Sequence, residues 1–164
     1  MNDGSLLAVC GSKRKGVAKR RLEGGMLRVA HGLEGDAHAG EWHRQLSLLD
    51  IADIRTMEAR GLTLAPGTFG ENLVVEGVDL SVLGIGSRLA VGDSELRITQ
   101  IGKECHDRCA IYAAAGDCIM PRRGLFAEVL RGGPIAPGSA VRVLEVQLRA
   151  ALPARPPMPA EATS

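Results

Sequence analysis

RLAVGDSELRIT, residues 88–99, decides the fold class. Arg88-Leu89-Ala90-Val91 is a short apolar run closed by Gly92-Asp93, a dipeptide that favours a tight hairpin. Leu96 and Ile98 then alternate with Arg97 and Thr99, the period-two pattern of a strand buried on one face. Similar runs lie on both sides. Leu73-Val74-Val75 ends at Glu76-Gly77, and Leu6 to Cys10 ends at Gly11-Ser12. Met26-Leu27-Arg28-Val29 is a further strand candidate. Leu125 to Leu130 and Val141-Arg142-Val143, with the turn Pro137-Gly138 between them, are expected to pair and close the structure.

One helix interrupts this series. Asp50 can cap it, Asp53 sits where the helix dipole favours an acid, and Gly61 marks its end. Ile51, Ile54 and Met57 recur every three residues and give it one apolar face. With 21 glycines among 164 residues and aromatics at 2%, the chain turns often and builds its core from Leu, Val, Ile and Ala. The expected fold is mainly β, a barrel with one or two short helices, in a single domain over residues 1–150. Residues 151–164 are rich in Pro, Ala and small polar residues and read as a disordered tail.

The net charge of +1 says little about partners, but its distribution says more. Six of the nine residues from Lys13 to Arg21 are basic, and no acid occurs between Gly4 and Leu22. Such a run attracts anions. Nucleic acid is disfavoured, because the run holds no aromatic platform for bases. The N-terminus lacks the pattern of a signal peptide, and no apolar run approaches the ~20 residues of a membrane span. The expected location is the cytoplasm, with Cys10, Cys105, Cys109 and Cys118 as reduced thiols.

GKECHDRCAIYAAAGDCIM, residues 102–120, is the segment richest in chemistry. Lys103, His106 and Arg108 surround Cys105, and neighbouring cations favour its thiolate, which makes it a nucleophile and a soft-metal ligand. A zinc site from Cys105, His106, Cys109 and Cys118 is the competing reading. It is weakened by the missing second Cys pair and by the adjacency of Cys105 and His106. Cys10, in an apolar run, reads as a small buried hydrophobe. Asp36 and His38 in the glycine-rich stretch 31–40, with His43-Arg44 beyond it, form a second constellation suited to a polar ligand. Gly70-Glu71-Asn72-Leu73, a turn before a strand, is a third.

In this order the segments resemble the MOSC family, named after the C-terminal part of molybdenum cofactor sulfurase. The matching residues are Ser12, Lys13, Gly16 and Lys19, then Gly32-Leu33-Glu34-Gly35-Asp36 with His38, then Arg44. Gly70-Glu71-Asn72-Leu73, Val91-Gly92-Asp93, Thr99-Gln100 leading to Cys105, and the closing run with Gly138 follow. The resemblance spans Leu6 to Leu144 and implies a β-barrel with a pocket lined by these motifs.

The same resemblance implies sulfur or metal–sulfur chemistry around the molybdenum cofactor, a molybdopterin. Cys105 takes the place of the family's characteristic cysteine, which either carries sulfur as a persulfide or binds the cofactor's molybdenum. Ser12, Lys13, Lys19, Asp36, His38, Arg44, Glu71 and Asn72 would line the cofactor or substrate site, joined by Lys103 and Arg108, with Cys109 and Cys118 as auxiliary thiols. The chain carries no pyridoxal-phosphate desulfurase domain, so a separate PLP-dependent cysteine desulfurase is the expected donor. The acceptor is the molybdenum cofactor or a molybdoenzyme. The first expectation is therefore a sulfurtransferase or sulfur carrier; the second is a module that binds or delivers the cofactor without transferring sulfur.

Overall fold

The computed structural model describes residues 3–15, 17–59, 65–102 and 124–149. Cys105, Cys109, Cys118, Lys103, His106 and Arg108 lie outside these residues, as does the segment 151–164.

Eleven strands are formed: β1 (Asp3–Gly11), β2 (Arg20–Leu22), β3 (Gly25–Arg28), β4 (Gly32–Leu33), β5 (Leu46–Asp50), β6 (Leu73–Glu76), β7 (Arg88–Val91), β8 (Ser94–Ile101), β9 (Leu125–Arg131), β10 (Gly133–Ile135) and β11 (Ala140–Glu145). Seven of them close a barrel in the order β1-β6-β5-β9-β8-β7-β11, with β11 returning to β1. Every ladder in the ring is antiparallel except β5–β6. β2 extends the sheet beyond β1, and β10-β3-β4 form a small second sheet.

The hairpin that the sequence marks out forms as expected. Val91 pairs with Ser94 across the two-residue loop Gly92-Asp93, and Gly92 has φ +57°. Positive φ at the first loop position suits the strand twist, and glycine adopts it without strain. The expected pairing of the last two long strands does not form: β9 lies between β5 and β8, while β11 joins β7 to β1. β10 pairs with β3, and the turn after it hydrogen-bonds Leu6 through Gly138 and Ser139, so the chain arrives beside β1 instead of folding back along β9.

Strand alternation divides the apolar residues into two layers. Leu6, Leu48, Leu73, Leu96, Ile98 and Leu125 belong to the barrel interior. Ala8, Cys10, Leu49, Val74 and Phe126 form a second cluster with Ile54, Met57 and Phe69. Ile54 and Met57 come from α1 (Ile51–Glu58), which lies against this outer layer. The Asp50 side chain caps α1 by accepting from the Ala52 N–H at 3.0 Å. Among the described residues no helix is long and apolar enough to cross a membrane.

Candidate functional site

The basic run after β1 does not stay together as a solvated face. Lys19 is buried: its Nζ donates to Asp36 Oδ1 at 2.7 Å and lies 2.9 Å from His38 Nδ1, and both the Lys19 and Asp36 side chains are 1% exposed or less. The turn Leu33–Asp36 makes this possible, because Asp36 also accepts from the Ser12 N–H (3.0 Å) and the His38 N–H (3.2 Å). Burial opposes ionisation of Asp36, but Lys19, the Ser12 amide and Asn72 outweigh it and hold the carboxyl below its ordinary range.

Asn72 ties three strands together. Its Nδ2 donates to the Cys10 carbonyl at 3.0 Å, and its Oδ1 accepts from the Ser47 N–H at 3.0 Å. Glu71 is fully buried, and its two carboxylate oxygens accept the Gly67 N–H (2.8 Å) and the Phe69 N–H (3.1 Å). Burial pushes its carboxyl up to about 7, against the pull of those amides and of Lys19. Glu71 thus holds the 66–70 turn, and the Gly67 carbonyl in turn accepts the Lys19 N–H at 2.8 Å. Cys10 lies nearby with a thiol pushed up to about 12, by burial first and then by the Glu71 charge.

A cavity of about 810 Å³ opens beside this cluster. It lies between the chain after β1, strand β2 and the 33–36 turn, and Ser12, Lys13 and Asp36 reach it together with Arg14 and Arg20.

From the same cluster a row of rings and cations leads around the barrel wall. The Trp42 indole N–H donates to the His38 carbonyl at 2.7 Å. The Arg44 guanidinium lies 4.5 Å from the Trp42 ring centre and 5.8 Å from that of Phe126, and Lys15 Nζ is 5.6 Å from Trp42. Such stacking suits the flat, weakly hydrated guanidinium. Arg44 Nε is buried and has no hydrogen-bond partner among the described residues. The Thr99 hydroxyl fastens the loop by donating to the His43 carbonyl.

Phe126 pairs with Gln100 at the end of the β8–β9 ladder. Immediately beyond, the Gly102 N–H donates to the Gly124 carbonyl at 2.7 Å, so the chain leaves for residues 103–123 and returns at one point. That excursion contains Cys105.

The structure therefore brings Ser12, Lys19, Asp36, His38 and Asn72 together, with Lys13 at the cavity and Arg44 one aromatic ring away. Glu71 stands behind them with both oxygens committed to backbone amides. Trp42 and Phe126 have no place in the sequence-based site, although Trp42, the only tryptophan, directly precedes His43-Arg44. Among the described residues no group of three or more His, Cys, Asp and Glu could hold a metal ion; the four residues of the competing zinc reading lie outside them.

A seven-strand closed barrel with a cationic cavity on its wall is the class of protein that fold and site define. The sequence profile of the MOSC domain matches residues 35–142. The chain belongs to the MOSC family, which is associated with the molybdenum cofactor. The fold is similar to that of the YuaD protein from Bacillus subtilis, with TM-score 0.72 and 20% identity over 90% of this chain and 100% of that one. It is also similar to YiiM from Geobacillus stearothermophilus, with TM-score 0.65 and 18% identity over 87% of this chain and 75% of that one. YiiM from Escherichia coli gives TM-score 0.59 and 18% identity over 88% and 70% of the two chains. No curated protein matches the chain in sequence.

Proposed function

We propose that the protein is a sulfur carrier of molybdenum-cofactor metabolism, with Cys105 as the sulfur-bearing residue and the cavity as the seat of the anionic acceptor. The observation that carries this reading is the unbroken row Asp36–His38–Trp42–Arg44–Phe126. It runs from the cavity to the Gly102–Gly124 point at which the cysteine-bearing segment begins. Cys105 follows Gly102 by three residues in the sequence.

The residues at the cavity fit an anionic pterin. Lys13, Arg14 and Arg20 supply positive charge, Leu22 and Leu33 supply apolar wall, and the volume of about 810 Å³ is that of a small-molecule site. When bound there, the cofactor would supply the sulfur-accepting metal centre.

The chain's own part is thiol chemistry. Lys103, His106 and Arg108 beside Cys105 favour its thiolate. The thiolate attacks the outer sulfur of a persulfide on a separate PLP-dependent cysteine desulfurase. A new sulfur–sulfur bond forms on Cys105, the donor's sulfur–sulfur bond breaks, and the donor cysteine leaves as thiolate. Release of the carried sulfur as sulfide consumes two electrons, supplied by two reducing thiols that end as a disulfide while Cys105 returns as thiol. Arg44, with Nε unpartnered, holds positive charge along the way.

The test is intact mass after incubation with a cysteine desulfurase and cysteine. A reducible gain of about 32 Da per sulfur, lost in Cys105→Ser, is the expected result; full uptake by the variant overturns the role of Cys105. The second reading, a module that binds the cofactor without transferring sulfur, is favoured by the cationic cavity itself. Under it, charge reversal at Lys13 and Arg14 abolishes pterin binding while Cys105→Ala leaves binding largely intact, and no sulfur is taken up.

A further inference from the structure

The arginines of the barrel are held in two ways. Arg88 bonds Glu145 and Glu95 at 2.9 Å each, Arg97 bonds Glu128 at 2.5 Å, and Arg28 pairs with Glu34. Those carboxylates neutralise the charge that they orient. Arg44 is held by rings instead. Its guanidinium lies over the Trp42 ring at 4.5 Å and over the Phe126 ring at 5.8 Å. Among the described residues no acid pairs with it, not even Glu41 in the same loop. Stacking fixes the plane of a guanidinium and leaves its charge and its N–H groups uncommitted.

The clamp is built around the only tryptophan of the chain. The Trp42 backbone N–H donates to the Gly40 carbonyl at 3.0 Å and the indole N–H to the His38 carbonyl at 2.7 Å, so both ends of the residue are fixed. The His43 ring meets the indole at 5.7 Å and 69°, and the Thr99 hydroxyl holds the His43 carbonyl. Phe126 is fixed by its place in β9, between β5 and β8. Lys15 Nζ, 5.6 Å from the indole centre, adds a second cation, also without an ion-pair partner among the described residues. Lys15, Trp42 and Arg44 stand apart from the residues that line the cavity.

We infer that Trp42 is a positioning residue for Arg44, and that the clamped guanidinium receives a weakly hydrated sulfur anion, a thiolate or persulfide. This rests on the sulfur-carrier reading and distinguishes two anion sites by their chemistry. At the cavity, Lys13, Arg14 and Arg20 are exposed and meet water. At Arg44, Nε is closed to water and two rings border the charge. A sulfate or phosphate must shed tightly held water to approach such a surface, whereas a polarisable sulfur anion gives up less. A fixed positive charge also favours the ionised form of a thiol or persulfide brought beside it.

The experiment is nitrogen NMR of the full chain, following the Arg44 Nε–H resonance, which is assigned by its loss in Arg44→Met. Sodium thiocyanate is the probe, and sodium sulfate at equal ionic strength near about 0.1 M is the comparison. Thiocyanate is expected to bind at least about threefold more tightly than sulfate. Trp42→Phe keeps a ring under the guanidinium and retains most of the response, whereas Trp42→Leu lowers the thiocyanate affinity at least about fivefold. Sulfate binding as tightly as thiocyanate, no response to thiocyanate, an unchanged response in Trp42→Leu, or its loss in Trp42→Phe would each overturn the inference. The first two of these need only the unmodified protein. Sulfur loading of Cys105 on the same preparations separates the two readings, and Arg44→Met is expected to slow it at least about tenfold. Loading at the native rate in Arg44→Met removes only this inference; a thiocyanate site without loading in the unmodified protein removes only the sulfur-carrier role.

Discussion

Lys19 Nζ stands 2.9 Å from His38 Nδ1 while it is held by Asp36 at 2.7 Å. An ammonium group can only donate, so Nδ1 of His38 accepts and the ring proton of the neutral imidazole sits on Nε2. Nitrogen NMR of the native protein is expected to display His38 as the Nε2–H tautomer. Lys19→Met removes the donor and leaves the Asp36 carboxylate buried without its partner. It should cost about 3–5 kcal/mol in urea unfolding and release the tautomer preference. A mixed tautomer population in the unmodified protein would refute the assignment.

Glu71 gives the fold a pH dependence of definite sign. Its carboxyl is raised from 4.5 to about 7 in the folded protein, so its contribution to stability is complete below pH 4.5 and is lost as pH rises through 7. Asp36 works in the opposite sense and only at lower pH, since its carboxyl is lowered from 3.8. From about pH 5 to pH 8 the urea-unfolding free energy should fall by an amount on the order of 3 kcal/mol more than that of the Glu71→Gln variant. Parallel pH slopes in the two proteins would mean that Glu71 is ionised throughout.

Gly67 is irreplaceable on two counts. Its φ is +91°, and a Cβ there would lie 2.2 Å from the Lys19 carbonyl oxygen. Gly67→Ala should destabilise by at least about 1–3 kcal/mol and loosen the Lys19 backbone from the 66–70 turn. Gly35 also has positive φ (+86°), but nothing stands within 4 Å of a Cβ built there, so Gly35→Ala tests the backbone term alone and should cost less. Thermal unfolding of the two variants checks the order.

Cys10 should be chemically silent in the native state. It is fully buried and its thiol is pushed up to about 12, so neither access nor thiolate is present near neutral pH. Iodoacetamide followed by peptide mass analysis should modify Cys10 only after denaturation. Labelling of Cys10 in the folded protein would show that the outer layer around α1 opens readily.

Much of the barrel was legible because its signals are local. Gly92-Asp93 with alternating flanks, the Asp50 cap and the three-residue spacing of Ile51, Ile54 and Met57 each act within a few residues. β5 left no such trace. Leu46 to Leu49 are buried on both faces, the inner by the barrel and the outer by α1 and Asn72, so no alternation appears in the sequence. Lys19 was legible as a cation but not as a buried one, because its partner Asp36 lies 17 residues away and is delivered by the 33–36 turn. Arg44 likewise was expected in the site, whereas its stacking on Trp42 and Phe126 depends on β9 lying beside β5. Long-range strand order determines these contacts, and composition does not encode it.

The Gly102–Gly124 hydrogen bond also bears on how such a protein can change over generations. Because the excursion departs from and rejoins adjacent strands at a single rung, its length and content are decoupled from the ladder registers of the ring. Insertions, deletions or exchange between Gly102 and Gly124 can therefore leave the pairing of β8 with β9 in register. Inheritance can thus conserve the ladder while the sequence between its two ends is replaced.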